Sequence, residues 1–294
     1  GRILQLVTTT KTNNNILRAT NNGTLAISGV AVNQAPAARI EAVAGNLSFA
    51  SCSVSGGAIA VDGASSSTFT GSSTLNDVTH SGRSSVASAA SLSVGGSGLT
   101  NNGTIRVNDG VSGSGTVVRT NGDMTLSGTG DLELDANPGN LDTAYMYWNS
   151  NSSTQVFNNG ASHTIHGSGN IYTTVTNFGT ISADKPGRTL QLLSNNKVNQ
   201  GLIRATGGGN LTINGVAVTQ QGGGRIEAQS GGISVANGTI IDGPVTAFPG
   251  FAVTSSGSSR LSGVTFTGAW NQTNASTLSI APAGITNNGV IRVS

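Results

Sequence analysis

The sequence predicts an all-β chain wound as a β-solenoid, and three observations predict it. The chain repeats itself without gaps, position 1 returning at 187 and position 108 at 294. Short aliphatic–polar–small triplets recur within that repeat at nearly even spacing, as at Leu17 and Ile40 or at Ile181, Ile203 and Ile226. The composition is rich in Gly (43 of 294 residues) and poor in aromatic (4%) and charged (9%) side chains, which suits a thin core laid down many times along an axis.

The long repeat is explicit. LTNNGTIRV at 99–107 returns as ITNNGVIRV at 285–293, and GRILQL at 1–6 returns as GRTLQL at 187–192. NILRATNNGTLAISGVAV (15–32) returns as GLIRATGGGNLTINGVAV (201–218), and ARIEA (38–42) as GRIEA (224–228). Between 1–42 and 187–228, 22 of 42 positions are identical, and no gap is needed between 1–108 and 187–294. A repeat this long and free of insertions is the mark of tandem duplication in a stacked architecture. The expected organisation is one continuous solenoid over 1–294, made of a first unit, 1–186, and a truncated second unit, 187–294. Both ends of the chain copy internal segments, so the expectation is that each cuts through the middle of a stack.

The triplets give the shorter period. Leu17-Arg18-Ala19, Ile40-Glu41-Ala42, Ile105-Arg106-Val107, Ile181-Ser182-Ala183, Ile203-Arg204-Ala205, Ile226-Glu227-Ala228 and Ile291-Arg292-Val293 alternate with period two. Their outer members point to one side of a strand and the middle member to the other. Strands this short, separated by Gly, Asn and Ser, make sense as rungs of coils about 19–25 residues long, roughly 13 in all. The aliphatic members are expected in the core. Arg18 and Glu41 then share a strand position one coil apart, as do Arg204 and Glu227, so each pair is expected to form an outward ion pair. The turns between strands are assigned to Asn101-Asn102-Gly103 and Asn287-Asn288-Gly289, with Asn21-Asn22-Gly23 as a further example, because Asn and Gly accept positive φ. Asn side chains stacked at such corners are expected to form hydrogen-bonded ladders. No segment keeps the i, i+3, i+4, i+7 spacing of a helix. A β-sandwich needs bulkier core residues and a linker between duplicated domains, yet 109–186 is as strand-like as its flanks.

The net charge of +2 arises from few charges and no Lys/Arg run, which argues against nucleic acid as a partner. No apolar run approaches the ~18 residues of a membrane-spanning helix, so membrane insertion is not expected. Cys52 becomes Gly238 in the second copy, which reads as a small buried filler more than a nucleophile.

The runs TNNGTIRV, NQGLIRATGGGNLTINGVAV, RIEAQSGG and TNFGTISA resemble the right-handed parallel β-helices of large bacterial surface and secreted proteins, among them filamentous-haemagglutinin-like and autotransporter-adhesin passengers and giant repeat surface proteins. The resemblance covers the whole chain. It implies a right-handed parallel β-helix, an extracellular or cell-surface location, and a structural segment of a surface, adhesin or filament protein that serves as a rigid spacer. Its partners would be further copies or continuing repeats end to end, and glycans. The alternative is a polysaccharide-active or glycan-binding β-helix domain; fold alone does not decide between these.

The candidate sites are few. Asp131, Glu133 and Asp135 alternate with Leu132 and Leu134, so three carboxylates share a face, as a Ca²⁺ site or as a solvated surface. His163 and His166 fall on opposite faces of a strand and cannot jointly hold a metal. His80 becomes Phe266 in the second copy and reads as a packing position. Tyr145, Met146, Tyr147 and Trp148 form the densest aromatic stretch. Tyr145, Tyr147 and Trp148 are the candidate ligand contacts, stacking on sugar rings or another chain, with a longer loop folded back on the solenoid as the other reading. No cofactor and no catalytic residue is expected, and the chain is read as a non-enzyme.

Overall fold

The computed structural model describes residues 1–108, 115–148 and 155–293. These residues form 38 short strands and one 3-10 turn, Leu141–Thr143, with the strands paired in parallel from coil to coil. The protein is a parallel β-solenoid. Its contacts divide it into two compact units, Gly1–Phe157 and Asn158–Ser294, a boundary that differs from the 186/187 boundary of the sequence repeat.

In the first unit three faces are stacked. One begins Ile3–Leu6, Thr24–Ser28, Asn46–Ala50, Ser66–Thr70 and continues through Arg83–Val86 and Thr104–Val107 to Asp131–Asp135. The second runs from Lys11–Asn13 to Ala144–Trp148, and the third from Ile16–Thr20 to strand Met124–Ser127 and beyond. Where the corner between the second and third faces is sharp, both are served by one bent strand, Ser72–Ser81 or Ser91–Asn101. The bends fall at Asp77 (φ 54), Gly96 (φ 66) and Gly98 (φ 139). The second unit has the same three-sided build. Thr164–Ile171 turns a corner at Gly167 and Gly169, and the coils rise from Thr180–Ala183 to Val290–Val293.

The spacing of paired residues is looser than the triplets indicate. Thr164 lies beside Thr180, whereas Thr116 lies beside Ala144, so one turn of the solenoid takes up far more chain than another. The long coil absorbs an excursion at 136–143, pinned where Asn140 Oδ1 accepts the Asp142 amide (3.1 Å) and Thr143 Oγ1 donates to the Asn140 carbonyl (2.9 Å).

Alternation places the small aliphatic residues inside. Ile40, Ile105, Ile203 and Ile226 are at most 1% exposed, while Leu17 and Ile291, in outermost coils, are half-buried. Each buried Val, Leu or Ile contributes about 1.5–3 kcal/mol, so a thin core becomes substantial by repetition. Phe49 stacks on Phe69 one coil above, ring centroids 4.8 Å apart. Cys52 is buried beside Ser73, and burial pushes its thiol up to about 11.

The turn assignment needs a different reason. Asn21 and Asn22 do adopt positive φ (52 and 57), but Asn101, Asn102, Gly103, Asn287, Asn288 and Gly289 do not. Glycine is required there by crowding. A Cβ on Gly103 would lie 2.0 Å from the Gly82 carbonyl oxygen, and one on Gly289 would lie 2.2 Å from that of Gly268. Asn101 is buried, with Nδ2 donating to the Asp131 carbonyl (2.8 Å). An amide ladder forms further along the same strand stack, at the ends of Val156–Asn159, Thr174–Asn177 and Lys197–Asn199, where Asn159 donates to Asn177 (2.8 Å) and Asn177 to Asn199 (2.9 Å).

The two outward ion pairs part company. Arg18 and Glu41 are in register and form an ion pair, in which Arg39 joins. Arg204 and Glu227 are also in register, but they do not pair. Arg225 takes Glu227 at 2.9 Å, Gln229 donates to its other oxygen, and Arg204 turns to Ser182 Oγ (3.1 Å) on the neighbouring coil. Gln229 stands where the first copy has Val43, so the carboxylate of the second copy is already satisfied.

Candidate functional site

The aromatic stretch is a strand of the solenoid and not a folded-back loop. Ala144–Trp148 pairs with Thr116–Thr120, placing Tyr145 beside Val117 and Tyr147 beside Arg119. Met146 points inward and is buried, while Tyr145, Tyr147 and Trp148 are half-exposed. Tyr147 stacks on Trp148 with centroids 4.1 Å apart and meets Tyr145 edge-on at 6.2 Å. The Arg119 guanidinium lies 5.9 Å from the Tyr147 ring centroid, and its Nε donates to Ser91 Oγ (3.2 Å). The close fit depends on Gly115, where an added Cβ would come 2.8 Å from the Tyr145 ring. The result is an aromatic platform with a cation at its edge, the geometry suited to stacking on flat or ring-shaped groups.

Two of the three carboxylates of Asp131–Asp135, Glu133 and Asp135, face arginines instead of an open surface. Arg106 pairs with Asp135, and Glu133 Oε2 lies 4.0 Å from both Arg83 and Arg106. Thr104 Oγ1 donates to Asp131 at 3.0 Å. Glu133 and Asp135 are buried, so this is a compensated charge rung. No group of three or more His, Cys, Asp or Glu side chains is placed to hold a metal among the described residues.

The histidines serve the framework. His163 is buried against Asn159 (2.9 Å), and His166 meets Asp184 (2.8 Å) from a half-exposed position. His80 is fully buried between Asn101 Oδ1 and Ser84 Oγ, both at 2.8 Å; burial lowers its pKa against the smaller opposing effects of Asn101 and Asp131. A Ser-His-Asn arrangement with no exposed atom has no access to substrate.

Two features escape a reading of strand periodicity. Lys197 is 1% exposed, inside the core column between Val175 and Val218. Its ammonium donates to the carbonyls of Leu193 (3.1 Å) and Asn195, capping the preceding corner, and burial pushes it down to about 7. Its counterpart Lys11 makes the same kind of cap with Val7 (3.0 Å) and Thr9 (2.8 Å) in a more open coil. The signal available was a lysine at a position filled by Val32 and Val218 in neighbouring coils. The other feature is a notch of about 490 Å³ in the second unit beside Phe248-Pro249-Gly250-Phe251. Its signal was a Pro-Gly turn flanked by aromatics in an aromatic-poor chain.

No family model matches the chain, and no curated protein or solved structure shows detectable similarity to it. Fold and geometry define a parallel β-solenoid with repeating coils, and no helix among the described residues is long and apolar enough to cross a membrane.

Proposed function

We propose that the chain is a structural segment of a long extracellular surface, adhesin or filament protein, acting as a rigid spacer and scaffold without catalytic activity of its own. One observation carries this reading: along 24–34 and its copy 210–220 the inward residues are kept while most of their outward neighbours change. Leu25/Leu211, Ile27/Ile213, Val32/Val218 and Ile40/Ile226 are identical and buried in both copies. Most outward residues between them differ, as in Ala26/Thr212, Ser28/Asn214 and Asn33/Thr219, while Ala31/Ala217 and Arg39/Arg225 are kept. Retaining the stack while the surface drifts is what a spacer requires, whereas a catalytic flank must retain its surface groups. The partners in this reading are further coils, in the same polypeptide or in a second copy, because each coil of the solenoid is held by parallel strand pairing to the next. Electron imaging of the native polypeptide tests it. A thin stalk or fibre with a regular repeat is expected; a short isolated particle that depolymerises a polysaccharide would overturn it.

A second reading, glycan binding, is favoured by the half-exposed Tyr145, Tyr147 and Trp148 platform with Arg119 at its edge. A glycan array probed with the chain and with Tyr147→Ala tests it: signal lost in the variant supports the platform, and signal unchanged removes it.

A further inference from the structure

The first face opens at one corner of the first unit. Ser66–Thr70 is paired along its whole length with Asn46–Ala50 below, and Arg83–Val86 along its whole length with Thr104–Val107 above. Between these two strands only Thr68 with Ser85 and Phe69 with Val86 are joined, so Ser66 and Ser67 stand apart from Arg83 and Ser84. The missing rung would tie the Arg83 amide to the Ser65 carbonyl, and among the described residues no such bond forms. The gap is a cleft of about 260 Å³, walled by Ser65, Ser66, Ser67, Ser84 and Ser85 and by Arg83 and Arg106.

Coil length does not force the split. The second copy has the same number of residues here, and in it Val253 pairs with Trp270, Thr254 with Asn271 and Ser255 with Gln272. Val253 and Trp270 are the counterparts of Ser67 and Ser84, so the rung absent from the first copy is present in the second. Both are fully buried and close the corner with apolar volume, and Ala269 stands in place of Arg83. The first copy keeps small hydroxyls and a cation at a corner that the same fold closes without them. Unpaired polar groups at such a corner are destabilising unless something else bonds to them.

The walls are rich in donors. Ser66 Oγ donates to Asn46 Oδ1 (2.6 Å), Ser65 Oγ accepts the Gly45 amide (3.1 Å), and Ser84 Oγ is bonded to His80 (2.8 Å). Two hydroxyls are left over. Ser67 Oγ is buried without a hydrogen-bond partner, and Ser85 Oγ reaches only the Ser67 carbonyl and Thr68 Oγ1, each at 3.5 Å. Ser67 lines the cleft, so rotation about its single χ1 bond is enough to present the hydroxyl. The Arg83 amide is a third donor and its guanidinium a fourth. The Arg83 side chain is 72% exposed, and its acid neighbour, Glu133, lies 4.0 Å away. Arg106 is held by Asp135, and both acids belong to the strand beyond Arg106.

A backbone amide, two hydroxyls and a guanidinium together match a small group that carries acceptors on every side. Sulfate and phosphate have that form, whereas a carboxylate is planar and takes a guanidinium edge-on. The cleft is smaller than the ~300–1,000 Å³ of sites that enclose a ring-sized ligand. We propose that it binds a tetrahedral oxyanion, a phosphate or sulfate group, with Arg83 as counter-ion and with Ser67, Ser85 and the Arg83 amide as donors.

The test is titration of the full chain with sodium phosphate and with sodium sulfate at constant ionic strength, read from the amide NMR signals of Ser67, Arg83 and Ser85 with chloride as reference. Saturable shifts at these residues are expected from both oxyanions and not from chloride. Two substitutions separate binding from folding, because the second copy already carries their products at Ala269 and Val253: Arg83→Ala and Ser67→Val. Each should weaken binding by about tenfold or more without lowering the melting temperature of the anion-free protein, and Arg83→Lys should restore part of it. Glycerol 3-phosphate distinguishes the sources. Shifts equal to those of phosphate assign the cleft to an esterified group, and no shifts assign it to the free ion; either result keeps the proposal. Chloride acting like the oxyanions, shifts centred on Arg119 or Arg260 instead, or unchanged affinity in Arg83→Ala would overturn it. None of these outcomes bears on the spacer role or on the aromatic platform, which imaging and the glycan array test separately.

Discussion

Residues 66–101 and 252–287 are the same stretch of the repeat, and they fill equivalent rungs from opposite sides. In the first copy the bulk sits at Phe69, stacked on Phe49, while Ser84 is small and bonded to His80. In the second copy Ser255 replaces Phe69, Trp270 replaces Ser84 and Phe266 replaces His80. Trp270 meets Phe266 edge-on at 5.4 Å and donates its indole N–H to Ser255 Oγ at 2.9 Å. The volume has crossed the coil. A close-packed interior constrains the sum over a rung more tightly than any one position, so compensating exchanges survive where single ones would not. The first copy holds its rung by directional hydrogen bonds, and the second mainly by shape.

The largest test of that contrast is Trp270→Ala. The indole is fully buried, and its loss should destabilise the protein by about 3–5 kcal/mol in a denaturant titration. A loss under about 1 kcal/mol would show that the second copy does not depend on this ring. Next comes the contrast between the two lysines. The folded ammonium of Lys197 titrates near 7 against an ordinary 10.5, so the unfolded chain binds more protons between those values and stability rises with pH across that window. Between pH 7 and 9 the gain should be about 2–3 kcal/mol in the wild type and absent in Lys197→Met. Lys11→Met should leave the slope in place; if it removes the slope instead, the assignment to Lys197 fails.

The polar rung gives a smaller effect. Ser84→Ala leaves the His80 Nε2 without its partner and should cost about 1–3 kcal/mol. Because burial lowers the His80 pKa below 6.5, its contribution is complete above that value and lost as pH falls below it. His80→Phe, the residue of the second copy, should flatten the acid limb of a stability–pH curve; an unchanged limb would exclude His80 as its source. Smallest is the ion-pair contrast. Arg18 is half-exposed, and Arg18→Met should cost no more than about 1 kcal/mol. In that rung burial pushes the Glu41 carboxyl up, but the hydrogen bonds and charges of Arg18 and Arg39 outweigh it and hold it below the ordinary carboxylate range. Arg204→Met should leave the Glu227 rung intact, since Arg225 and Gln229 already satisfy it. A larger loss for Arg204 than for Arg18 in thermal melts would reverse the comparison.

The order of residues was enough to settle the solenoid, the alternation that buries Ile40 and Ile226, and the register that sets Arg18 beside Glu41 and Arg204 beside Glu227. Those follow from period-two patterning and from a repeat that can be aligned by eye, both carried along the chain. Packing between coils chose which neighbour each side chain took. Arg204 turned to Ser182, Lys197 entered the core to cap two carbonyls, Tyr145–Trp148 joined a face as a strand, and the glycines at 103 and 289 answered crowding instead of a positive φ. Each of these depends on the residue one coil away, and coil length varies, one turn running from Thr164 to Thr180 and another from Thr116 to Ala144. Local pattern fixes which way a side chain points; the variable length of the next turn fixes what it meets.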